Sequence, residues 1–372
     1  MILAGEASGD LHGAGVVRAL RELSPGIEIF GMGGDHMRGE GMDILVDIRK
    51  MAFMGFAEVA RNLGTVFEAE RVLGRAMEQR KPEAVLLIDY PGFNLRFARR
   101  ARKAGVAVFY YISPQVWAWH KSRVHTIRER VDRMHVIFPF EEVLFREAGV
   151  PVTFVGHPLV ERLAPLPDRA AWMRGQGFDP ERPLLGLFPG SRTQEIERIL
   201  PAMVEAARTL AAGGACQVAI GRAAILEHGV IEQYVPEDAG IRIVEHGTHE
   251  LMQCSTAALV TSGTATLEIG WYGTPFVVVY RTSPVTFAIG RRLVQVKHIG
   301  LVNIVAGQTL VPELVQGDCT PERMVREVGP MLFDRAVHDR VHASLGVIRE
   351  RLGGPGASRR VAESILSGRG VA

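Results

Sequence analysis

Cysteine is scarce in this 372-residue chain, and the three present, Cys216, Cys254 and Cys319, are odd in number and far apart. That pattern supplies neither a zinc ligand set nor a disulfide framework, and it points to a reducing cytoplasm. No apolar run reaches the roughly 18 residues that a membrane span needs. The opening Met1-Ile2-Leu3-Ala4-Gly5-Glu6 is too short and too soon acidic for a signal peptide. Net charge is nearly absent: 43 basic against 41 acidic side chains leave +2, no global reason to expect nucleic acid as a partner. Several catalytic signatures are missing too. There is no G-x-x-x-x-G-K-[ST] phosphate loop, no G-x-S-x-G elbow, no H-E-x-x-H metal helix, no G-x-G-x-x-G fingerprint and no Asp-x-Asp pair.

What is present is an apolar fraction of 47%, enough for sizeable cores, and 41 glycines without a collagen period. Short apolar runs alternate with helical patterns. Strands are expected at Ile2–Ala4, Ile27–Phe30, Ala84–Ile88, Ala107–Ile112, His135–Phe138 and Thr153–Val155, with amphipathic helices at Leu11–Leu23, Val66–Arg80 and Leu95–Lys103. Leu159–Pro183, with four prolines, reads as a hinge or linker. The rhythm restarts with strands at Leu184–Phe188, Gln217–Ile220, Ile241–Val244, Ala257–Val260 and Phe276–Val279. Helices are expected at Gln194–Leu210, Ala223–Val235, Leu251–Cys254, Thr264–Trp271 and Met324–Phe333, then two more in Arg335–Leu366 either side of Gly353-Gly354-Pro355-Gly356. The pattern predicts an α/β protein of two doubly wound, Rossmann-like parallel-sheet domains, with a ligand cleft between the carboxyl ends of the two sheets. The expected division is 1–160, a linker at 161–183, and 184–352, with a final helix near 353–368 packing back on the first domain.

Chemistry concentrates where strands end. Gly5-Glu6-Ala7-Ser8-Gly9-Asp10 opens a helix and reads either as an anion-binding turn or as a turn capped by Ser8 or Asp10. Gly31-Met32-Gly33-Gly34 reads as a second glycine turn. Asp89, closing the run Ala84–Ile88, is placed as a general base or as a turn former before Pro91. Trp117, Trp119 and His120 follow another strand and suit either an apolar or sugar pocket or packing between helices. Gly190-Ser191-Arg192 offers a free backbone, a cap and a forked cation to a phosphate, or simply a capped helix start. Ser262-Gly263-Thr264-Ala265-Thr266 forms an expected diphosphate nest, with Glu268 one turn on and able to meet a ribose; a plain N-cap is the alternative.

In order along the chain, GEASGD (5–10), MGFAEV (54–59), IDYPGFN (88–94), SPQVWAWHKSRV (113–124), FPFE (138–141), FVGHP (154–158), PGSR (189–192), SGTATLE (262–268) and LVNIVAG (301–307) resemble bacterial lipid-A-disaccharide synthases, glycosyltransferases of the GT-B architecture. The resemblance implies transfer of a 2,3-diacylglucosamine from UDP to 2,3-diacylglucosamine 1-phosphate, giving a β-1,6 disaccharide and UDP. It implies Asp89 as catalytic base and Gly190, Ser191, Arg192, Ser262, Gly263, Thr264, Ala265, Thr266, Glu268 and Asn303 on the UDP-sugar side. It implies Glu6, Ser8, Met54, Trp117 and Trp119 on the acceptor and acyl side. No cofactor and no obligatory metal are expected.

Two other readings stand beside it: another nucleotide-sugar enzyme, such as a UDP-N-acetylglucosamine 2-epimerase, or a non-catalytic binder of nucleotide sugar or lipid. From Met51 to His135 the chain carries 15 Lys or Arg against 8 Asp or Glu, around the apolar Met51–Val59 stretch. This basic region is either a solvated helix face or a surface for anionic lipid headgroups. The expectation is a cytoplasmic enzyme touching the inner membrane, with a homodimer left open.

Overall fold

The computed structural model describes residues 1–51, 63–117, 123–165, 167–284, 287 and 297–368. Met54 and Trp119 of the expected acceptor side lie outside the described residues, as does most of the Met51–Val59 stretch. Two compact units are present: Met1–Glu161 together with the chain from Leu352 onward, and Arg162–Arg351.

In the first unit, β1 (Ile2–Ala4), β2 (Phe30–Gly33), β3 (Asp43–Asp47), β4 (Ala84–Ile88), β5 (Ala107–Tyr111), β6 (Arg133–Val136) and β7 (Val152–Phe154) form one parallel sheet, ordered β3-β2-β1-β4-β5-β6-β7. Continuous apolar runs such as Val85-Leu86-Leu87-Ile88 are buried because helices cover both faces. Gly31 belongs to β2 rather than to a turn after it. At φ 148° it passes so close to β1 that a Cβ would overlap the Ile2 carbonyl.

The second unit repeats the plan. Strands β8 (Leu184–Phe188), β9 (Gln217–Gly221), β10 (Ile241–Val244), β11 (Ala257–Thr261), β12 (Phe276–Tyr280) and β13 (Glu313–Val315) are parallel and ordered β10-β9-β8-β11-β12-β13. In both sheets the order reverses beside the first strand, between β1 and β4 and between β8 and β11. Ligands of open α/β sheets bind at the carboxyl ends of strands at such reversal points.

Three expectations need correction. Residues 223–235 are not a helix; only the 3-10 turn Glu232–Tyr234 forms there, because Gly229 turns at φ 89° and the buried Arg222 takes Glu232 as an ion-pair partner. The expected linker holds the 3-10 turn Pro158–Arg162 and the helix Arg169–Gly175, capped by Asp168 and seated on buried Met173. Strands β3 and β13, both at sheet edges, were not expected. The three cysteines are buried free thiols.

The helix Ala357–Ser367 packs on the helix Ala7–Leu23 of the first unit, where Gly15 leaves room for Ser358. Its start is capped from outside: the Glu161 carboxylate accepts from the Ser358 N–H at 2.8 Å and from the Ser358 hydroxyl at 2.7 Å. Arg360 adds a bond to the Val155 carbonyl at 2.8 Å. A lost cap costs about 1–2 kcal/mol. Glu161→Ala is therefore expected to speed amide hydrogen exchange throughout 357–367 about tenfold; unchanged protection would remove the cap from this account.

Candidate active site

At the reversal point of the first sheet, Gly5-Glu6 leaves β1 and Asp89-Tyr90 leaves β4. Both Asp89 and Tyr90 adopt left-handed backbone, with φ 45° and 46°. Each such residue costs about 1–3 kcal/mol, more readily tolerated by Asp than by Tyr. The conformation persists because its surroundings fix it. The buried Asn94 amide donates to the Asp89 carbonyl at 2.8 Å and to the Ile88 carbonyl at 3.1 Å. The Tyr110 hydroxyl donates to the same Asp89 carbonyl at 2.6 Å, and the Asp89 N–H donates to the Tyr111 carbonyl at 3.0 Å. The Tyr90 ring lies over Gly5, where any Cβ would overlap it. Pro91 then starts the helix Pro91–Lys103 at once.

The turn sets the half-buried Asp89 just past the end of β4. Burial pushes its pKa up to about 6, with the neighbouring Glu6 carboxylate adding to the rise and a bond from the Tyr90 N–H opposing it. Glu6, the residue before the helix Ala7–Leu23, and Ser8 in its first turn are exposed, and the Glu6 side chain makes no capping bond. Asp10 caps a different element from the one expected. Its buried carboxylate accepts from the N–H groups of Gly34 at 2.7 Å, His36 at 3.0 Å and Met37 at 3.2 Å, holding the start of the short helix Asp35–Gly39.

In the segment after the next strand, β5, Ser113 and Trp117 share a partner that sequence reasoning gave no role. Glu141 is 2% exposed; it accepts from the Ser113 hydroxyl at 2.6 Å, the Trp117 indole N–H at 3.1 Å and the Phe138 N–H at 3.2 Å. Burial pushes Glu141 up to about 7 against those bonds. The half-buried Trp117 meets Phe140 edge-on at 5.3 Å, and Phe140 stacks on Phe138 at 5.5 Å. The sequence signal for Glu141 was its place three residues after Phe138 in a helix starting at Pro139.

At the reversal point of the second sheet, Pro189-Gly190-Ser191-Arg192 leaves β8 and Ser262-Gly263-Thr264 leaves β11. Gly190 has φ 103°, and a Cβ there would come 2.7 Å from the Glu195 carboxylate. Ser191 and Arg192 are exposed; among the described residues Arg192 pairs only with Glu195, at 3.1 Å, from the start of the helix Thr193–Ala211. The Ser262 hydroxyl donates to the Ile299 carbonyl at 2.9 Å and the Thr266 hydroxyl to the Gly263 carbonyl at 2.7 Å. Both are spent, and the N–H groups of Thr266, Leu267 and Glu268 already donate to the Gly263 and Thr264 carbonyls; among the described residues, that leaves the exposed Thr264 side chain and the N–H groups of Thr264 and Ala265, at the start of the helix Ala265–Tyr272, to meet an anion. Glu268 follows one turn in. Burial raises its pKa, while His249 and Arg162 pull it back; His249 is itself held by the Tyr272 hydroxyl at 3.2 Å.

Asn303 does not reach outward. It is fully buried, its Nδ2 donates to the Val311 carbonyl and to Glu313, and its Oδ1 accepts from the N–H groups of Leu310 and Val311. Among the described residues one exposed trio, His228, Glu232 and Glu245, has metal-ligand composition. Its carboxylates are already served by Arg222, bonded to Glu232 and 3.9 Å from Glu245.

Two Rossmann-ordered sheets, each with its polar residues at the reversal point, define the GT-B class of glycosyltransferases and related nucleotide-sugar enzymes. Solved structures agree on the fold. A putative UDP-N-acetylglucosamine 2-epimerase from Listeria monocytogenes superposes with TM-score 0.68 at 12% identity, covering 99% of this chain and 95% of its own. Acinetobacter baumannii MurG gives 0.58 at 16%, covering 99% and 98%. Sequence relatives decide the family. The family model described as lipid-A-disaccharide synthetase matches residues 1–345. Lipid-A-disaccharide synthases of Geobacter sulfurreducens and Myxococcus xanthus are 44% and 43% identical, each covering 98% of this chain and 96% of their own length. The chain therefore belongs to the lipid-A-disaccharide synthase family, and it is a glycosyltransferase.

The packing of Tyr90 on Gly5 makes one substitution diagnostic. Gly5→Ala is expected to lower turnover by more than tenfold while leaving the far-UV spectrum unchanged, since the overlap displaces the Asp89–Tyr90 turn and not the sheet. Steady-state kinetics on the purified variant measure this, and near-parental turnover would show that the turn tolerates displacement.

Proposed function

We propose that the enzyme condenses a UDP-linked 2,3-diacylglucosamine with 2,3-diacylglucosamine 1-phosphate, with inversion, to give the β-1,6 tetraacyl disaccharide 1-phosphate and UDP. The observation that carries the reading is Asp89: a half-buried carboxyl on an over-determined left-handed turn, at the reversal point of a parallel sheet, poised at about pH 6. In this mechanism the acceptor 6-hydroxyl oxygen attacks the donor anomeric carbon as its proton passes to Asp89. The bond from that carbon to the diphosphate oxygen breaks, and the electron pair leaves with UDP. A base with pKa near the working pH serves such a transfer best.

The second unit takes the donor in this reading. Gly190, Ser191 and Arg192 receive the diphosphate together with the turn Ser262–Thr266, and Glu268 meets the ribose hydroxyls. Leaving-group charge is met by Arg192 and the helix-start amides, with no metal assigned. The first unit takes the acceptor. Glu6, Ser8 and the Trp117–Phe140 wall lie on its side of the reaction.

The enzyme draws both greasy substrates from the cytoplasmic face of the inner membrane. No helix among the described residues is long and apolar enough to cross a membrane. Much of the basic region is internally paired, Arg96 with Glu70 at 2.8 Å and Arg100 with Glu78 at 2.7 Å. Among the described residues Arg99 and Lys103 are exposed and carry no such pair, and in this reading they supply the headgroup contact.

The test is a two-substrate assay. The parent releases UDP only when both diacylated sugars are present, and Asp89→Asn loses at least 100-fold in turnover, within the range for removing a general base, while still binding UDP. The same variant keeps or gains thermal stability, since it removes a desolvated carboxylate. A fully active Asp89→Asn would refute the base assignment. Conversion of UDP-N-acetylglucosamine without any acceptor would favour the epimerase reading instead.

A further inference from the structure

The turn that follows β11 abuts a loop to which sequence reasoning assigned nothing. The Ser262 hydroxyl donates to the Ile299 carbonyl. Ile299 and Gly300 in turn donate their backbone N–H groups to the two carboxylate oxygens of Glu313, at 2.9 and 3.0 Å. The Asn303 amide adds a third donor at 2.8 Å, and the His298 imidazole lies 3.9 Å from the same carboxylate. Glu313 is the first residue of β13, the edge strand two places from β11, and its side chain is 11% exposed. A carboxylate holding three N–H donors is a strong, directional anchor, and here every donor belongs to the loop 299–300 or to the helix Leu301–Ala306.

We infer that Glu313 is a positioning residue for diphosphate binding. It fixes the His298-Ile299-Gly300 loop and, through the Ile299 carbonyl, the Ser262 hydroxyl, so that the start of the helix Ala265–Tyr272 faces the donor in one geometry. The inference rests on the donor reading given above. On this inference Asn303, expected on the UDP-sugar side, serves the site through Glu313 and not by touching a ligand, since all of its polar atoms are engaged and one of its partners is Glu313. The anchor is acidic and so repels phosphate if exposed to it. Its three N–H bonds and its burial beneath the loop confine its influence to the backbone it holds.

The experiment measures UDP binding to the full-length protein by titration calorimetry, and the KM for each diacylated sugar, in the parent, Glu313→Gln and Glu313→Asp. Glu313→Gln replaces one acceptor oxygen by a donor facing a backbone N–H, and Glu313→Asp withdraws the carboxylate by one methylene. The expected result is at least tenfold weaker UDP binding in Glu313→Gln and a smaller loss in Glu313→Asp. The acceptor KM stays within twofold, and amides 298–300 lose hydrogen-exchange protection. A parent that binds no UDP would overturn the donor reading and this inference together. A parent that binds UDP, with both variants binding equally well, would overturn the inference alone. Equal losses for donor and acceptor would also overturn it, assigning Glu313 to general stability; Glu313→Asp keeps this arm readable where Glu313→Gln does not fold.

Discussion

Everything proposed for the first unit depends on one constraint, the left-handed backbone at Asp89–Tyr90. Two consecutive residues in that region cost several kcal/mol at about 1–3 kcal/mol each. No single contact offsets this. Asn94 reaches the carbonyls of both Ile88 and Asp89, Tyr110 takes a second lone pair of the Asp89 carbonyl, and Gly5 yields the space for the Tyr90 ring. The result is a half-buried carboxyl just past the end of β4, close enough to Glu6 and dry enough for its pKa to rise to about 6.

The second unit has the same strand order with the opposite polarity at its reversal point. Where β1 and β4 present carboxylates, β8 and β11 present a guanidinium, a hydroxyl and helix-start amides. Arg192 is 73% exposed, and its i,i+3 pair with Glu195 is worth no more than about 0.5 kcal/mol. In the proposed donor role, turning the guanidinium toward a diphosphate would therefore sacrifice little. Glu268 differs: it is half-buried, and burial raises its pKa against the pull of His249 and Arg162.

The sequence announced the strand ends well. Ala84–Ile88, Leu184–Phe188 and Ile241–Val244 are strands over the expected residues, and the motifs after Ile88, Phe188 and Thr261 sit at the two reversal points. What it could not announce were partners remote along the chain. Asp10 serves amides 24 to 27 residues away, and Glu141 serves Ser113 28 residues away. Nothing local marks either as a hub. Edge strands β3 and β13 were missed for a related reason: Asp43–Asp47 and Glu313–Val315 are short and half-exposed, so their apolar signal is diluted. Residues 223–226 carry a helical apolar pattern, yet Gly229 and the Arg222–Glu232 pair impose turns instead. Asn303 was expected on the UDP-sugar side but is buried against residues 310–313, since an amide that binds a ligand and one that binds a turn look alike in sequence.

The central claim is that the strained turn holds Asp89 as a proton acceptor poised near neutral pH. Its most direct measure is the titration of the Asp89 side-chain carboxyl carbon by NMR in the resting, full-length protein, assigned against Asp89→Asn. The account predicts a midpoint near 6, about two units above an ordinary aspartate. A midpoint at or below about 4 would contradict it, because the carboxyl would then be solvated and the turn would confer nothing on its chemistry.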